Sequence, residues 1–305
     1  MNDFKLYRAN GILDLELIRQ MSIIYFGLGS LGSITCSMLP YPWKRTILVD
    51  PEALEKDNIE RHLLGNNDIG FYKAEGVKKW LVDRDIPADS IITVIGGAQE
   101  VLDRFSDVDL AIVGVDNRKT KNDINAWCMA NNIPAIYGGI FPRGTGGEVA
   151  VIPKPSEVCF SCSQEIIGAN QYQGHSGDDY GLSSEELLSQ NKEPKAVPAL
   201  RYTVAAVAYD IASFAIQLLT KGGVKPQIVI KSFAGEDILL FPKVPEYLIQ
   251  FVLNQQNLGL EPRFRIATKK TSFALHLECG EVSLSVPRWD NCPFHEKQTI
   301  QAGSI

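Results

Sequence analysis

The sequence has no surplus of positive charge: 30 lysines and arginines stand against 36 acidic residues, a net charge of −6. That balance argues against a nucleic-acid backbone as the main partner, because such binding rests on neutralising phosphates with cations. The chain also lacks a long apolar run free of charge. Its longest helical apolar stretch, about residues 202–219, carries Asp210 at the centre and reads as a buried helix rather than a membrane span. Cysteine is too sparse, six in 305 residues, for a disulfide scaffold. The first residues, Met1-Asn2-Asp3-Phe4-Lys5-Leu6, hold no continuous apolar core, so no export signal is expected and the expected compartment is the cytoplasm. No internal repeat or low-complexity tract is found.

What is present is alternation. Strand-like runs fall at 23–26, 46–49, 91–95, 110–113 and 135–137, with helical patterns at 31–39, 73–82 and 121–131 between them. This order predicts an α/β fold, a Rossmann-like, doubly wound, mostly parallel sheet with helices on both faces. The run Ala111-Ile112-Val113-Gly114-Val115 is apolar at every position, as a central parallel strand requires. After Gly138 the texture changes. A further strand is expected at 148–152, then a polar loop over 163–198, then a helix over 200–220 stopped by Gly222-Gly223. Strands at 227–232, 238–241, 264–267, 273–277 and 282–286, with a helix near 245–256, suggest a smaller β-rich elaboration. The expected division is 1–162 as nucleotide-binding core, 163–220 as crossover loop and long helix, and 221–305 as the elaboration.

Directly after the first strand comes Gly27-Leu28-Gly29-Ser30-Leu31-Gly32, and the second strand ends at Asp50. Glycines at this spacing let backbone approach a phosphate chain at the N-terminus of the next helix, and an acid at that strand end can accept from ribose hydroxyls. Asn58, Arg61 and Lys73 offer donors and two positive charges for phosphate oxygens. Asp116-Asn117 follows the fourth strand, where a carboxylate can hold Mg²⁺ against phosphates. Singly, Asp50 can cap a turn, Arg61 and Lys73 can be solvated charges, and Asp116-Asn117 can cap the next helix. Together they suit adenylyl transfer from ATP, in which charge builds on a leaving pyrophosphate.

Over about residues 17–219 this arrangement resembles the ubiquitin-activating-enzyme-like adenylyltransferase superfamily, the ThiF, MoeB, HesA and MccB group. The family's Asn-Leu-x-Arg-Gln segment stands here as Asn58-Ile59-Glu60-Arg61-His62, with histidine in place of glutamine. The resemblance implies Gly27, Gly29, Gly32, Asp50, Asn58, Arg61, Lys73, Asp116 and Asn117 as the ATP set, with Arg61, Lys73 and Asp116 catalytic. It implies that a small ubiquitin-like or sulfur-carrier protein, or a peptide, has its glycine-ended C-terminus adenylated. It also implies a homodimer, with an arginine supplied from the partner's N-terminal segment; Arg8 and Arg19 are the candidates.

A second signature is metal-like. Cys159-Phe160-Ser161-Cys162 and Cys292-Pro293-Phe294-His295 pair soft and borderline ligands that suit tetrahedral Zn²⁺. Four protein ligands leave no open position, so the site reads as structural; Cys279 in place of His295 is a variant. Residues 163–198 contain no cysteine, where many relatives carry a thioester nucleophile. Cys36 and Cys128 read as core residues, and Cys279 as a weak nucleophile candidate. The expectation is therefore adenylation without a covalent enzyme thioester. His175 reads as a solvated loop residue or an aid to substrate entry. Two alternatives remain at this point: a catalytically inactive scaffold of the same fold, and an NAD-dependent oxidoreductase.

Overall fold

The computed structural model describes residues 9, 12–141, 144, 146–166, 199–232, 236–240, 264–269, 272–277, 280–289 and 292–295. Apolar runs of four to six residues separated by longer amphipathic ones fold as strand–helix units. The chain runs α1 (Leu15–Ile18), β1 (Ser22–Phe26), α2 (Ser30–Met38), β2 (Arg45–Val49), α3 (Lys73–Val82), β3 (Ile91–Val94), β4 (Leu110–Val113), α4 (Arg118–Asn131) and β5 (Ala135–Ile140). Strand β6 (Gly146–Ile152) and helices α5 (Phe160–Ile166) and α6 (Arg201–Ile216) follow. The last described elements are β7 (Gln227–Ser232), β8 (Glu236–Leu240), β9 (Phe264–Lys269), β10 (Ser272–Leu277) and β11 (Gly280–Ser285).

Eight strands form one sheet in the order β11-β7-β6-β5-β4-β1-β2-β3. The five strands from β3 to β5 are parallel, and β6, β7 and β11 are antiparallel. Strand order reverses at β1, which pairs with β2 on one side and β4 on the other. Ligands of open α/β sheets bind beyond the carboxyl ends of strands at such a reversal. The glycine loop follows β1 and Asp116 follows β4, so the topology sets both at that crevice.

Each central strand feeds two cores. Ile24 and Phe26 of β1 join Ala111 and Val113 of β4 in a cluster with Ile124, Trp127 and Cys128 of α4 and Phe160 of α5. Ile23, Tyr25, Leu110 and Ile112 join the opposite cluster, with Ala74, Val77 and Leu81 of α3 and Val204, Val207 and Ile211 of α6. Burial on both faces explains why β1 and β4 read as unbroken apolar runs.

By length and composition 201–221 is apolar enough to cross a membrane. Here its inner face, Val204, Val207, Ala208, Ile211 and Ala215, is buried, packed on α2, β5 and β6. Asp210, the charge within it, pairs with Lys231 of β7 at 3.0 Å. The helix widens at Gln217–Lys221, where Gly222 N–H bonds the Gln217 carbonyl at 3.1 Å. Gly222 and Gly223 then leave it with φ of 65° and 72°, a left-handed region that glycine enters freely.

The C-terminal strands differ from the expected elaboration in one respect. Only β8, β9 and β10 form a separate sheet, in the order β8-β10-β9. Strands β7 and β11 extend the main sheet, β7 beside β6 in antiparallel register. The physical reason lies in β7 itself: Ile228 and Ile230 enter one core cluster and Val229 the other, so the strand needs cover on both faces. The expected helix at 245–256 lies outside the described residues.

Candidate functional site

The glycine loop is held by close approach. Gly27 has φ of 84°, and a Cβ there would lie 2.9 Å from Val115 Cγ1 and 3.1 Å from the Gly114 carbonyl carbon. A Cβ on Gly32 would lie 1.9 Å from the Gly27 carbonyl oxygen. These two glycines are required by the protein's own backbone. Gly29 is different: a Cβ there would meet nothing within 4 Å. It is the N-cap of α2 and offers no side-chain cap, so the first N–H groups of the helix open onto free space. That is an anion cradle by construction.

Asp50 is buried at the end of β2. Its Oδ2 accepts the Leu28 N–H at 2.6 Å, and its Oδ1 accepts the Glu52 N–H at 2.8 Å. Burial raises its pKa, against the lowering effect of those two bonds. The residue both caps a turn and ties β2 to the glycine loop, leaving lone pairs for a ribose hydroxyl.

His62 is fully buried, with Nε2 2.7 Å from the Leu28 carbonyl and Nδ1 3.0 Å from the Leu64 nitrogen. Because the Leu64 N–H must donate, Nδ1 is the acceptor and Nε2–H donates to Leu28. Burial drives its pKa down to about 4, so the ring is neutral. It clamps the 58–64 segment onto the loop, a packing role for the histidine that stands where the family has glutamine. Asn58 and Arg61 sit half-buried on that segment, where the Arg61 Nη1 donates to the Asp57 carbonyl at 3.4 Å.

Lys73 is the first residue of α3 and is buried, its ammonium paired with the exposed carboxylate of Glu52, two residues past Asp50. Asp116, beyond β4, is exposed and makes no hydrogen bond or ion pair among the described residues. Asn117 caps α4, its Oδ1 accepting the Thr120 N–H at 3.0 Å; its amide N–H groups stay available. The hard, exposed Asp116 carboxylate fits a Mg²⁺ ligand by chemistry.

The sequence reading missed a buried pair next to this carboxylate. Lys121 of α4 donates to the Gly138 carbonyl at 2.9 Å and faces Glu148 of β6. Burial lowers the Lys121 pKa and raises that of Glu148, and each opposes the shift of the other. The Glu148 Oε1 lies 3.4 Å from Gln164 of α5, and Oε2 has no hydrogen-bond partner. One signal was legible: Lys121 lies one helical turn beyond Asn117, on the face that carries Ile124 and Cys128.

On the other side of the sheet the four sequence-paired ligands meet. Donor atoms of Cys159, Cys162, Cys292 and His295, all buried, lie within 4.8 Å of one another. The Cys159 Sγ is 3.8 Å from that of Cys162 and 3.5 Å from that of Cys292, and Cys162 Sγ is 3.7 Å from His295 Nδ1. A tetrahedron with metal–sulfur bonds near 2.3 Å has edges of about 3.8 Å, so the donor set fits zinc. His295 Nε2 lies 3.3 Å from the Pro155 carbonyl, the second-sphere contact that fixes Nδ1 as the ligating nitrogen.

Cys36 and Cys128 are buried core thiols whose pKa values burial pushes to about 12. Arg19 pairs with Glu16 beside α1. Arg8, His175, Cys279 and residues 167–198 lie outside the described residues.

A mostly parallel sheet whose order reverses at β1, with the uncapped N-terminus of α2 just beyond that strand, gives the chain a Rossmann-like α/β fold. The chain belongs to the ThiF family, whose sequence model matches residues 3–242. It is similar to the ubiquitin-like modifier-activating enzyme 5 of Drosophila virilis, 27% identical over 178 residues, covering 54% of this chain and 44% of that protein. The same enzyme from Culex quinquefasciatus is 24% identical over 280 residues, covering 85% and 66%. The chain thus spans less than half the length of the Drosophila relative. In fold it is similar to E. coli MccB crystallised with AMPCPP and MccA, at TM-score 0.61 and 16% identity, covering 95% of this chain and 71% of that one. MccB with ATP gives TM-score 0.60 at 15% identity, covering 96% and 71%.

Proposed function

We propose that this protein is an ATP-dependent adenylyltransferase that activates the C-terminal carboxylate of a small ubiquitin-like or sulfur-carrier protein, or of a peptide. What supports the reading is that the uncapped α2 N-terminus at Gly29 and the exposed Asp116 follow the adjacent strands β1 and β4, with buried Lys73 paired to Glu52 just past Asp50. The relatives' own names, a ubiquitin-like modifier-activating enzyme and an enzyme crystallised with a peptide and ATP analogue, support it.

The triphosphate lies on the α2 N-terminus, with Asn58, Arg61 and Lys73 on its oxygens and Asp50 at the ribose. Lys73 is already an ammonium in its pair with Glu52, so binding exchanges one anionic partner for another. A carboxylate oxygen of the partner's terminal glycine attacks the α-phosphorus. The bond from that phosphorus to the α–β bridging oxygen breaks, its electron pair leaves on pyrophosphate, and an acyl adenylate remains. Mg²⁺ at Asp116, when bound, neutralises charge on the phosphates.

With no cysteine over 163–198, we propose that the acyl group passes directly to an external acceptor rather than through an enzyme thioester. We further propose a homodimer in the cytoplasm, with 1–162 as adenylation core, 163–220 guiding the partner's tail and 221–305 returning to the zinc cluster. Isotope transfer tests the chemistry. With the partner's terminal carboxylate labelled with ¹⁸O and hydroxylamine as acceptor, label is expected in AMP. Unlabelled AMP, or label recovered in inorganic phosphate, overturns the reading.

A further inference from the structure

Arg201 opens α6, and the phosphate set above makes no use of it. Its Nη1 donates to the His62 carbonyl at 3.3 Å. His62 follows Arg61 directly and is itself bonded through Nε2 to the Leu28 carbonyl of the glycine loop. One more contact fastens the helix end: Thr203 Oγ1 donates to the Gly144 carbonyl at 3.0 Å. Farther along, α2 and α6 close on each other across Gly138, where a Cβ would lie 2.6 Å from Leu31 Cδ2 and 2.7 Å from Ile211 Cδ1. The N-terminal ends of both helices thereby contact the same segment, at His62 and Leu63.

The guanidinium is exposed, and among the described residues no carboxylate pairs with it. Among the described residues a single hydrogen bond to a backbone carbonyl holds it, and they leave the rest of its five-donor fork unengaged. An arginine serving only local stability would bond acids or several carbonyls. An arginine anchored at one corner on the residue that follows Arg61, whose ring in turn holds the glycine loop, keeps donors of the kind that fork onto phosphate oxygens. The first-turn N–H groups of α6 add to the field, since Leu200 at its N-cap supplies no side-chain acceptor.

Resting on the adenylation reading, we propose that Arg201 is a further phosphate-binding residue, one that contacts the β- and γ-phosphate oxygens of the bound nucleoside triphosphate. As the carboxylate oxygen bonds the α-phosphorus and the α–β bridge breaks, the electron pair passes to pyrophosphate. Arg201 meets that charge where it accumulates. It also makes the site discriminate triphosphate from monophosphate, which the glycine loop alone does poorly.

The test is equilibrium binding of ATP and of AMP to the full chain, for the wild type, Arg201→Ala and Arg201→Lys. Arg201→Ala is expected to weaken ATP binding by about tenfold, the scale of one charge-assisted contact, and to leave AMP binding within about twofold. Arg201→Lys is expected to recover part of the loss, because charge without the fork is a weaker phosphate ligand. Unchanged ATP affinity in Arg201→Ala overturns the proposal. Equal losses for ATP and AMP overturn it too, because they assign Arg201 only to holding the His62 segment. Binding of ATP by the wild type together with the isotope result above separates failure of this proposal from failure of the adenylation reading.

Discussion

The His62 ring donates from Nε2 to the Leu28 carbonyl at 2.7 Å, fixing the glycine loop from a segment 34 residues away in sequence. An acid-labile clamp follows. Unfolded, the ring titrates near 6.5; folded, burial holds it down to about 4. Between those values only the unfolded chain binds the proton. The clamp's contribution is therefore complete above pH 6.5 and is lost as the pH falls towards 4. The loss amounts to about 3 kcal/mol. His62→Gln keeps a donor for Leu28 and removes the titration. Urea unfolding across this range is expected to show a shallower acid slope in the variant by that amount; equal slopes would count against a ring held neutral by burial.

Two glycines of one loop separate structural from ligand demands. Gly32→Ala forces a Cβ against the Gly27 carbonyl oxygen and is expected to lower the melting temperature and nucleotide affinity together. Gly29→Ala meets no atom of the protein within 4 Å. It is expected to leave the melting temperature within about 2 °C, because the added methyl strains nothing, while weakening ATP binding by about tenfold or more. Calorimetric melting with parallel nucleotide titration checks both. A Gly29→Ala protein that binds ATP normally would move the phosphates away from the α2 N-terminus.

Lys121 and Glu148 need one another. Lys121→Met leaves Arg118 alone to offset the buried Glu148 carboxylate and is expected to destabilise by about 2 kcal/mol. Lys121→Met with Glu148→Gln removes both charges and is expected to recover much of that loss. Additive effects in this double-mutant cycle would show that the two side chains are independent.

For the cysteine–histidine cluster, metal analysis of the purified chain is expected to find stoichiometric zinc. Cys292→Ala is expected to lose it and His295→Cys to keep it, since sulfur replaces imidazole within the same tetrahedron. Chelation is expected to lower the melting temperature without changing the ATP affinity, because the cluster lies on the opposite side of the sheet from α2 and α6. Full stability after complete zinc removal would deny the site a structural role.

Much of this arrangement is written in local pattern. The uniformly apolar β1 and β4 announce a parallel sheet buried on both faces, and the spacing of Gly27, Gly29 and Gly32 announces the tight turn into α2. The two halves of the cysteine–histidine cluster are legible because each is a short-range pair, although 133 residues separate Cys162 from His295. Other features depend on long-range partners that no local pattern specifies. The Lys121–Glu148 pair, the reach of Arg201 to His62 and the second role of Asp50 as a clasp on Leu28 are of this kind. Strand β7 was legible as a strand, but its place beside β6 depends on which core has room for Val229. That is decided by α6, not by the strand's own residues.

The most direct measurement is Mg²⁺-dependent ATP–pyrophosphate exchange, with small glycine-ended proteins or peptides as the activating partner and Asp116→Ala as the comparison. Exchange is predicted to require both Mg²⁺ and the partner, and to fall by about a hundredfold or more in Asp116→Ala. Clear ATP binding with no exchange for any such partner would contradict catalysis and favour a scaffold of this fold. Exchange undiminished in Asp116→Ala would contradict the site itself.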